Sequence, residues 1–302
     1  MPRLPLWFCL VALAAAQLVI GAPACGGHGD RNTMLVTTSW LADHLNDPNV
    51  VILAVGREGE YEKGHIPGSI ALNVNDIVLS QNAAGIHVEL PPMAQLAETF
   101  GKLGVTNDSH VVLYVSGNSV TAVTRTYLTL DAMGLGAHAS ILDGGFPAWQ
   151  SEKRPVTNDV PTVKRGKLDT CPQSDVIAGL EYVKSNLHHP GVDLLDVRSA
   201  GDYAAHEGHG DSRAGHVPGA VSLPFEKLMD SGKLKPAAEL QAALSAAGVK
   251  SGDRVVSYCY IGARATVVYF VARYLGYDAR LYDGSWEEWN NHTELPTEIS
   301  AK

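Results

Sequence analysis

Cysteine is scarce in this chain, and what there is does not fall into a pattern. Four are present in 302 residues. Cys9 lies inside an apolar N-terminal run, which leaves Cys25, Cys171 and Cys259, an odd and widely spaced set that makes no disulfide framework. No CxxC occurs, and no Cys/His spacing fits a structural zinc, so no metal is expected. Positive charge is also short: 23 Lys and Arg stand against 32 Asp and Glu, a net charge of −9. With no basic stripe to offset that sign, neither nucleic acid nor an anionic membrane surface is an expected partner, and an anionic substrate has to be attracted locally. No membrane span is expected.

What is present is an ordinary globular composition, 45% hydrophobic and 18% charged, in a length that suits one large or two ordinary domains. Residues 1–25 carry one Arg, run apolar from Leu4 to Ile20 and close on the small triplet Ala22-Pro23-Ala24, the layout of a secretory signal. We therefore expect residues 1–24 to direct export, to the periplasm of a bacterium. Cys25 follows the triplet directly, so a lipid anchor there stays open, although Ala22 stands where a lipoprotein site usually has Leu. An exported thiol meets oxidants.

An internal repeat organises the rest. VVILAVGRE, GHIPG, HVVLYV and LDGGFPAW succeed one another in the first copy; VDLLDVRS, GHVPG, RVVSYC and LYDGSWEEW follow in the same order in the second. Helical patterns lie between these short apolar runs, at 92–102 and 122–133, then at 237–247 and 263–275. Near-continuous apolar strands separated by helices predict a parallel sheet covered on both faces. The fold class is α/β: two domains, 32–150 and 175–302, each a parallel sheet with helices on both faces. Residues 151–174, rich in prolines and charges with little apolar periodicity, are the linker, which makes Cys171 incidental. Trp149, Trp286 and Trp289 read as core aromatics, and GHVPG as a turn bent by Pro218 and supported by His216. The stretch 206–216 holds three His without the spacing that pre-organises a metal site, and reads as a solvated loop near the cleft.

Ligands of such sheets bind beyond the carboxyl ends of the strands. Cys259 falls there: RVVSY reads as a strand, Gly262 as part of a turn, and an apolar helix then runs to a stop at Gly276. A thiolate at a helix start faces unpaired N–H groups and the positive end of the dipole. Arg264, five residues on, adds a fixed charge from a loop short enough to fold back. A small buried hydrophobe is the other reading of Cys259. The order strand, cysteine, glycine, arginine, helix favours the anion site. Aligning the copies sets Val115 opposite Cys259 and Val120 opposite Arg264, and Ser116, one place off, has no adjacent His as a base, so the first copy is expected to be inactive.

CYIGAR (259–264) resembles the six-residue active-site loop of rhodanese-type sulfurtransferases, in which the first residue carries a persulfide and the last is often Arg or Thr. LLDVRSAGDY with GHVPGAVSLPF, and LYDGSWEEW, resemble that family's flanking signatures and recur upstream as LAVGREGEY with GHIPGSIALNV and as LDGGFPAW. The resemblance implies a tandem rhodanese whose Cys259 takes sulfur from a sulfane donor such as thiosulfate and passes it to a thiophilic acceptor such as cyanide or a thiol. It implies that the N–H groups of Tyr260, Ile261, Gly262, Ala263 and Arg264 cradle the thiolate and persulfide, while Arg264 holds the donor. Asp196 and Arg198 match a buried supporting pair, Asp202 an acidic position that often follows, and no cofactor is required. Tyr260 stands where thiosulfate-preferring members often have Arg, and Ile261 where the animal enzymes carry Lys. The loop also differs from the CGSGVT of 3-mercaptopyruvate sulfurtransferases. Because Arg264 is present, thiosulfate is the expected donor; 3-mercaptopyruvate transfer and a non-enzymatic sulfur relay stay open. Cell-cycle phosphatases share the fold and pair Cys with Arg, but their loop needs five residues between the two and here four intervene.

Overall fold

A computed structural model describes residues 27–56, 59–117, 119–206 and 213–299. Residues 1–24, where export is expected, Cys25 and residues 207–212 of the histidine-bearing stretch lie outside them. The first half runs α1 (Arg31–Met34), β1 (Leu35–Val36), α2 (Thr38–Asp43), β2 (Val50–Gly56), β3 (Ile70–Asn73), α3 (Met93–Lys102), β4 (His110–Val115), α4 (Val120–Ala132), β5 (Ala139–Leu142) and α5 (Gly145–Ser151). The second half repeats the theme: β6 (Ile177–Ala178), α6 (Leu180–Ser185), β7 (Val192–Asp196), α7 (Ala200–Tyr203) and β8 (Val221–Ser222) come first. A hairpin of β9 (Met229–Asp230) and β10 (Lys233–Leu234) follows, then α8 (Ala237–Ala246), β11 (Arg254–Tyr258), α9 (Ala265–Tyr274), β12 (Asp278–Tyr282) and α10 (Ser285–Asn291). The four helices expected from periodicity are present, each within two residues of its expected ends.

Each half holds one five-stranded parallel sheet, ordered β1-β5-β4-β2-β3 and β6-β12-β11-β7-β8. The two orders are one permutation used twice. Register settles how the copies align: Ala54 pairs with Tyr114 in one sheet and Asp196 with Tyr258 in the other, so Val115 and Cys259 follow the same strand position.

The two halves meet through α4 and α9, where Tyr127 and Phe270 pack edge to face with ring centroids 4.8 Å apart. Ala122–Ala132 and Ala265–Ala272 are buried without a break, because each helix has its own sheet on one side and the other half's helix on the other. A helix enclosed in this way needs no polar face, which is why 263–275 reads as apolar all round. Each fully buried Leu or Phe in that seam stabilises the fold by roughly 2 kcal/mol. The outer sheet faces are covered by α2 and α5 with Trp149, and by α6 and α10 with Trp286 and Trp289; all three indoles are 0% exposed. Among the described residues no helix is long and apolar enough to cross a membrane.

The linker is laid along the first half and bonded to it. Thr157 and His65 exchange main-chain hydrogen bonds at 2.9 and 3.0 Å, the Gly166 N–H donates to Gly101 O at 2.9 Å, and the Cys171 N–H donates to Met133 O at 2.9 Å. Gly166 lies so close to the Val105 carbonyl that a Cβ would collide with it. One expectation is corrected here: Cys171 is disulfide-bonded, not incidental, and Cys259 is the free thiol among the described residues. Counting cysteines and their spacing missed it because pairing depends on which sulfurs the fold brings together, and the backbone at Cys171 is pinned beside α4.

Candidate active site

β11 ends at Tyr258 and α9 starts at Ala265, so the six residues from Cys259 to Arg264 turn the chain from sheet to helix. Gly262 makes the turn at φ +78°, and a Cβ there would stand 2.7 Å from the Asp283 carbonyl oxygen and 3.2 Å from its carboxylate. Only glycine meets both demands. Among the described residues the N–H groups of Ile261, Gly262, Ala263 and Arg264 have no acceptor. Successive free N–H groups around a concave turn form an anion nest. The Cys259 N–H donates to Ser285 Oγ at 3.2 Å, and the carbonyls of Cys259 and Tyr260 accept from the N–H groups of Trp286 at 3.0 Å and Glu287 at 2.9 Å. Arg264 occupies the N-cap of α9 half-buried, and its guanidinium makes no hydrogen bond or ion pair among the described residues. Cys259 itself is 1% exposed.

Ser285 was not among the residues singled out from sequence, though it lies within LYDGSWEEW. It sits at φ +53°, a conformation that disfavours side chains. Its hydroxyl offsets the strain by donating to Tyr282 O at 2.8 Å while accepting from Cys259. The loop is thereby tied to the end of β12.

Asp196 and Arg198 come together at the end of β7 and are 0% and 2% exposed. Arg198 donates from Nε to Asp196 Oδ1 at 3.0 Å, and from Nη2 to Asp196 Oδ2 and Gly215 O at 2.7 Å each; its guanidinium lies 4.4 Å over Trp286. Burial works against that charge, but the bonds and charge of Asp196 outweigh it and hold the Arg198 pKa above its ordinary value. Tyr258, the residue before Cys259, donates its hydroxyl to Asp196 Oδ2 at 2.7 Å and accepts the Val217 N–H at 3.1 Å. Burial, then the Asp196 charge, pushes that hydroxyl well above its usual pKa, so it stays a donor. Asp202 is buried on α7, its N–H bonded to Ser199 Oγ at 3.0 Å, and its charge also favours Arg198. His216 donates from Nδ1 to the Tyr203 carbonyl at 2.9 Å and stacks on that ring at 3.7 Å, as His65 stacks on Tyr61 at 3.6 Å in the first half.

The first half keeps the frame but not these side chains. Val115 occupies the strand end, Ala54 and Gly56 replace the aspartate and arginine, and Ser116 fills the space a side chain at Gly56 would need. The Glu60 carboxylate packs against Gly117 inside the turn, where the second half has its free N–H groups.

The rhodanese-like domain model matches this chain twice, at residues 37–152 and 179–292. Among known proteins it is 29% identical over 279 residues to a 3-mercaptopyruvate sulfurtransferase of Escherichia coli (strain K12), covering 88% of this chain and 98% of that one. It is 30% identical over 269 residues to a thiosulfate sulfurtransferase of Pseudomonas aeruginosa, covering 88% and 97%. The crystal structure of SseA from Escherichia coli, described as a 3-mercaptopyruvate sulfotransferase of rhodanese fold, superimposes with a TM-score of 0.73 at 27% identity over 84% of this chain and 99% of that one. The chain belongs to the rhodanese-like domain family, as a tandem-domain sulfurtransferase.

Proposed function

We propose that the protein is a thiosulfate sulfurtransferase that works through a persulfide on Cys259. The Cys259 thiolate attacks the outer sulfur of thiosulfate, the S–S bond of the donor breaks, and sulfite leaves with the bonding pair. Cyanide or a thiolate acceptor then attacks the terminal sulfur of the persulfide, and the Cys259 thiolate is restored. The observation that carries this reading is the loop itself: one free cysteine opens a turn whose N–H groups from Ile261 to Arg264 have no acceptor, and the arginine that closes it has no side-chain partner among the described residues. That arrangement holds a thiolate, a persulfide and an anionic donor with the same groups, and asks for no cofactor. The second reading, 3-mercaptopyruvate as donor, is favoured by the Escherichia coli relative. Tyr260 and Ile261 leave the loop with less charge than two further cations would supply, which sets the weight of donor binding on Arg264.

The test is intact mass of the protein before thiosulfate, after it, and after cyanide, beside Cys259→Ser. One sulfur gained and then removed by cyanide, absent in the variant, is the expected outcome. Sulfur gained from 3-mercaptopyruvate and none from thiosulfate would replace the first reading by the second. We also propose export to the bacterial periplasm, a reading supported by the N-terminal composition and by the disulfide at Cys171, which suits an oxidising compartment. Cell fractionation checks it, and protein retained with the cytosol would overturn it.

A further inference from the structure

We infer that Arg125, on α4 of the half without a catalytic cysteine, is a positioning residue for the Cys259 loop. It clamps Asp283 against Gly262 and neutralises a carboxylate that would otherwise face the incoming anion. The inference rests on the reading of Cys259 as the sulfur carrier.

Arg125 is 1% exposed. Its Nη1 donates to Asp283 Oδ1 at 2.5 Å, and its Nη2 to the Val88 carbonyl at 2.6 Å and more weakly to Asp283 Oδ2 at 3.4 Å. Asp283 Oδ2 also accepts the Leu90 N–H at 2.9 Å. One guanidinium therefore ties α4, the loop before α3 and the turn between β12 and α10 into a single junction. Only a planar fork can aim two nitrogens at acceptors on two different segments. Asp283 in turn lies on the active loop at Gly262, and the residues that follow it, Ser285 to Glu287, supply the hydrogen bonds to Cys259 and Tyr260. Thr124, the neighbour of Arg125, reaches the other end of the same loop. Its Oγ1 shares a hydrogen bond with Thr266 Oγ1 at 2.7 Å, and Thr266 Oγ1 donates to Ala263 O at 2.8 Å. Two consecutive residues of α4 thus brace both sides of the turn.

The charges around the junction are mostly negative. Glu287 accepts the His87 main-chain N–H at 2.8 Å and pairs with its Nδ1 at 2.7 Å, and Glu89 stands near both Asp283 and Glu288. Burial first, then Asp283 and Glu288, raises the Glu89 pKa above its ordinary value. Without Arg125 the Asp283 carboxylate would add an uncompensated charge beside a loop that has to accept a dianion.

The experiment compares R125K, R125M, D283N and R125M/D283N in the whole protein, following two rate constants at Cys259 by intact mass. One is sulfur loading by thiosulfate, a dianion; the other is alkylation by iodoacetamide, which is neutral. Their ratio reads the charge at the loop and cancels a general loosening of the fold. We expect R125M to lower the ratio about tenfold, R125K to lower it less, and R125M/D283N to recover most of it although both partners are gone. D283N alone, with the guanidinium uncompensated, is expected to raise the ratio. Should R125M not fold, R125K and D283N decide the matter by moving the ratio in opposite directions. An unchanged ratio in the variants, or both rates falling by one factor with no recovery in the double variant, overturns the inference while leaving Cys259 as the carrier. Wild-type protein that alkylates at Cys259 but takes sulfur from neither thiosulfate nor 3-mercaptopyruvate would overturn the proposed function, and this inference with it.

Discussion

Replacing Tyr258 by Phe removes a single oxygen from a fully buried side chain, and the same change at Tyr114 is its internal control, because the two tyrosines hold equivalent strand positions. The Tyr258 hydroxyl donates to the charged Asp196 at 2.7 Å and accepts the Val217 N–H at 3.1 Å. A hydrogen bond to a charged group contributes about 1.5–3 kcal/mol, and a buried N–H left without an acceptor costs about 1–3 kcal/mol. Allowing for partial relaxation, Tyr258→Phe should destabilise by roughly 3 kcal/mol. The Tyr114 hydroxyl bonds Ser69 Oγ at 2.9 Å and the Ile66 N–H only at 3.3 Å, with no ion involved, so Tyr114→Phe should cost about 1 kcal/mol. At pH 7 both hydroxyls are protonated, since burial lifts Tyr114 to about 12 and Tyr258 well above its usual value. Urea unfolding at that pH, read from the midpoint at unchanged slope, measures both. Sulfur loading at Cys259 should fall in Tyr258→Phe and hold in Tyr114→Phe. Equal destabilisation, within about 0.5 kcal/mol, would show that the Asp196 charge adds nothing and refute the reasoning.

Two pH dependences follow from half-buried ionisable groups. The Asp193 carboxyl is pushed up to about 6, by burial first and then by the charge and hydrogen bond of Asp253, since no other donor among the described residues reaches its Oδ2. Because it binds its proton more tightly folded than unfolded, it lowers stability as pH rises from 4 to 6, and the loss is complete above 6. Asp193→Asn should then melt higher than wild type at pH 7.5, by about 1 kcal/mol once solvent screening is allowed for, and show no gain at pH 4; a lower melting point at pH 7.5 would sink this account. His28 joins Asp131 of α4 to Asp175 beyond the linker, at 2.8 and 2.9 Å. The Asp131 bond, outweighing burial, raises its pKa. Its stabilisation is full below pH 6.5 and is lost as pH rises through the higher folded value. His28→Gln should therefore cost roughly 1 kcal/mol at pH 6 and little at pH 9 in the same urea assay, and equal losses at both would count against it.

The class of fold, the two copies and the alignment of Val115 with Cys259 were all legible in the linear chain. Periodicity and β-branched runs are local properties that the backbone reads a few residues at a time, so a doubled fold spells its strands twice. Asp196 and Arg198 were legible for the same reason: two residues apart at a strand end, they need only a side-chain turn to meet. Arg125 was not, because it meets Asp283 across 158 residues, and neither position carries a sign of the other. Likewise the bond from Tyr269 to Asp131 and the bridge made by His28 exist only because α4 and α9 dock against one another. The sequence by itself determined where a sulfur could be carried. The packing of the two sheets through α4 and α9 decided which buried charges compensate one another and what holds the Cys259 loop in shape, since each depends on distances that chain separation does not set.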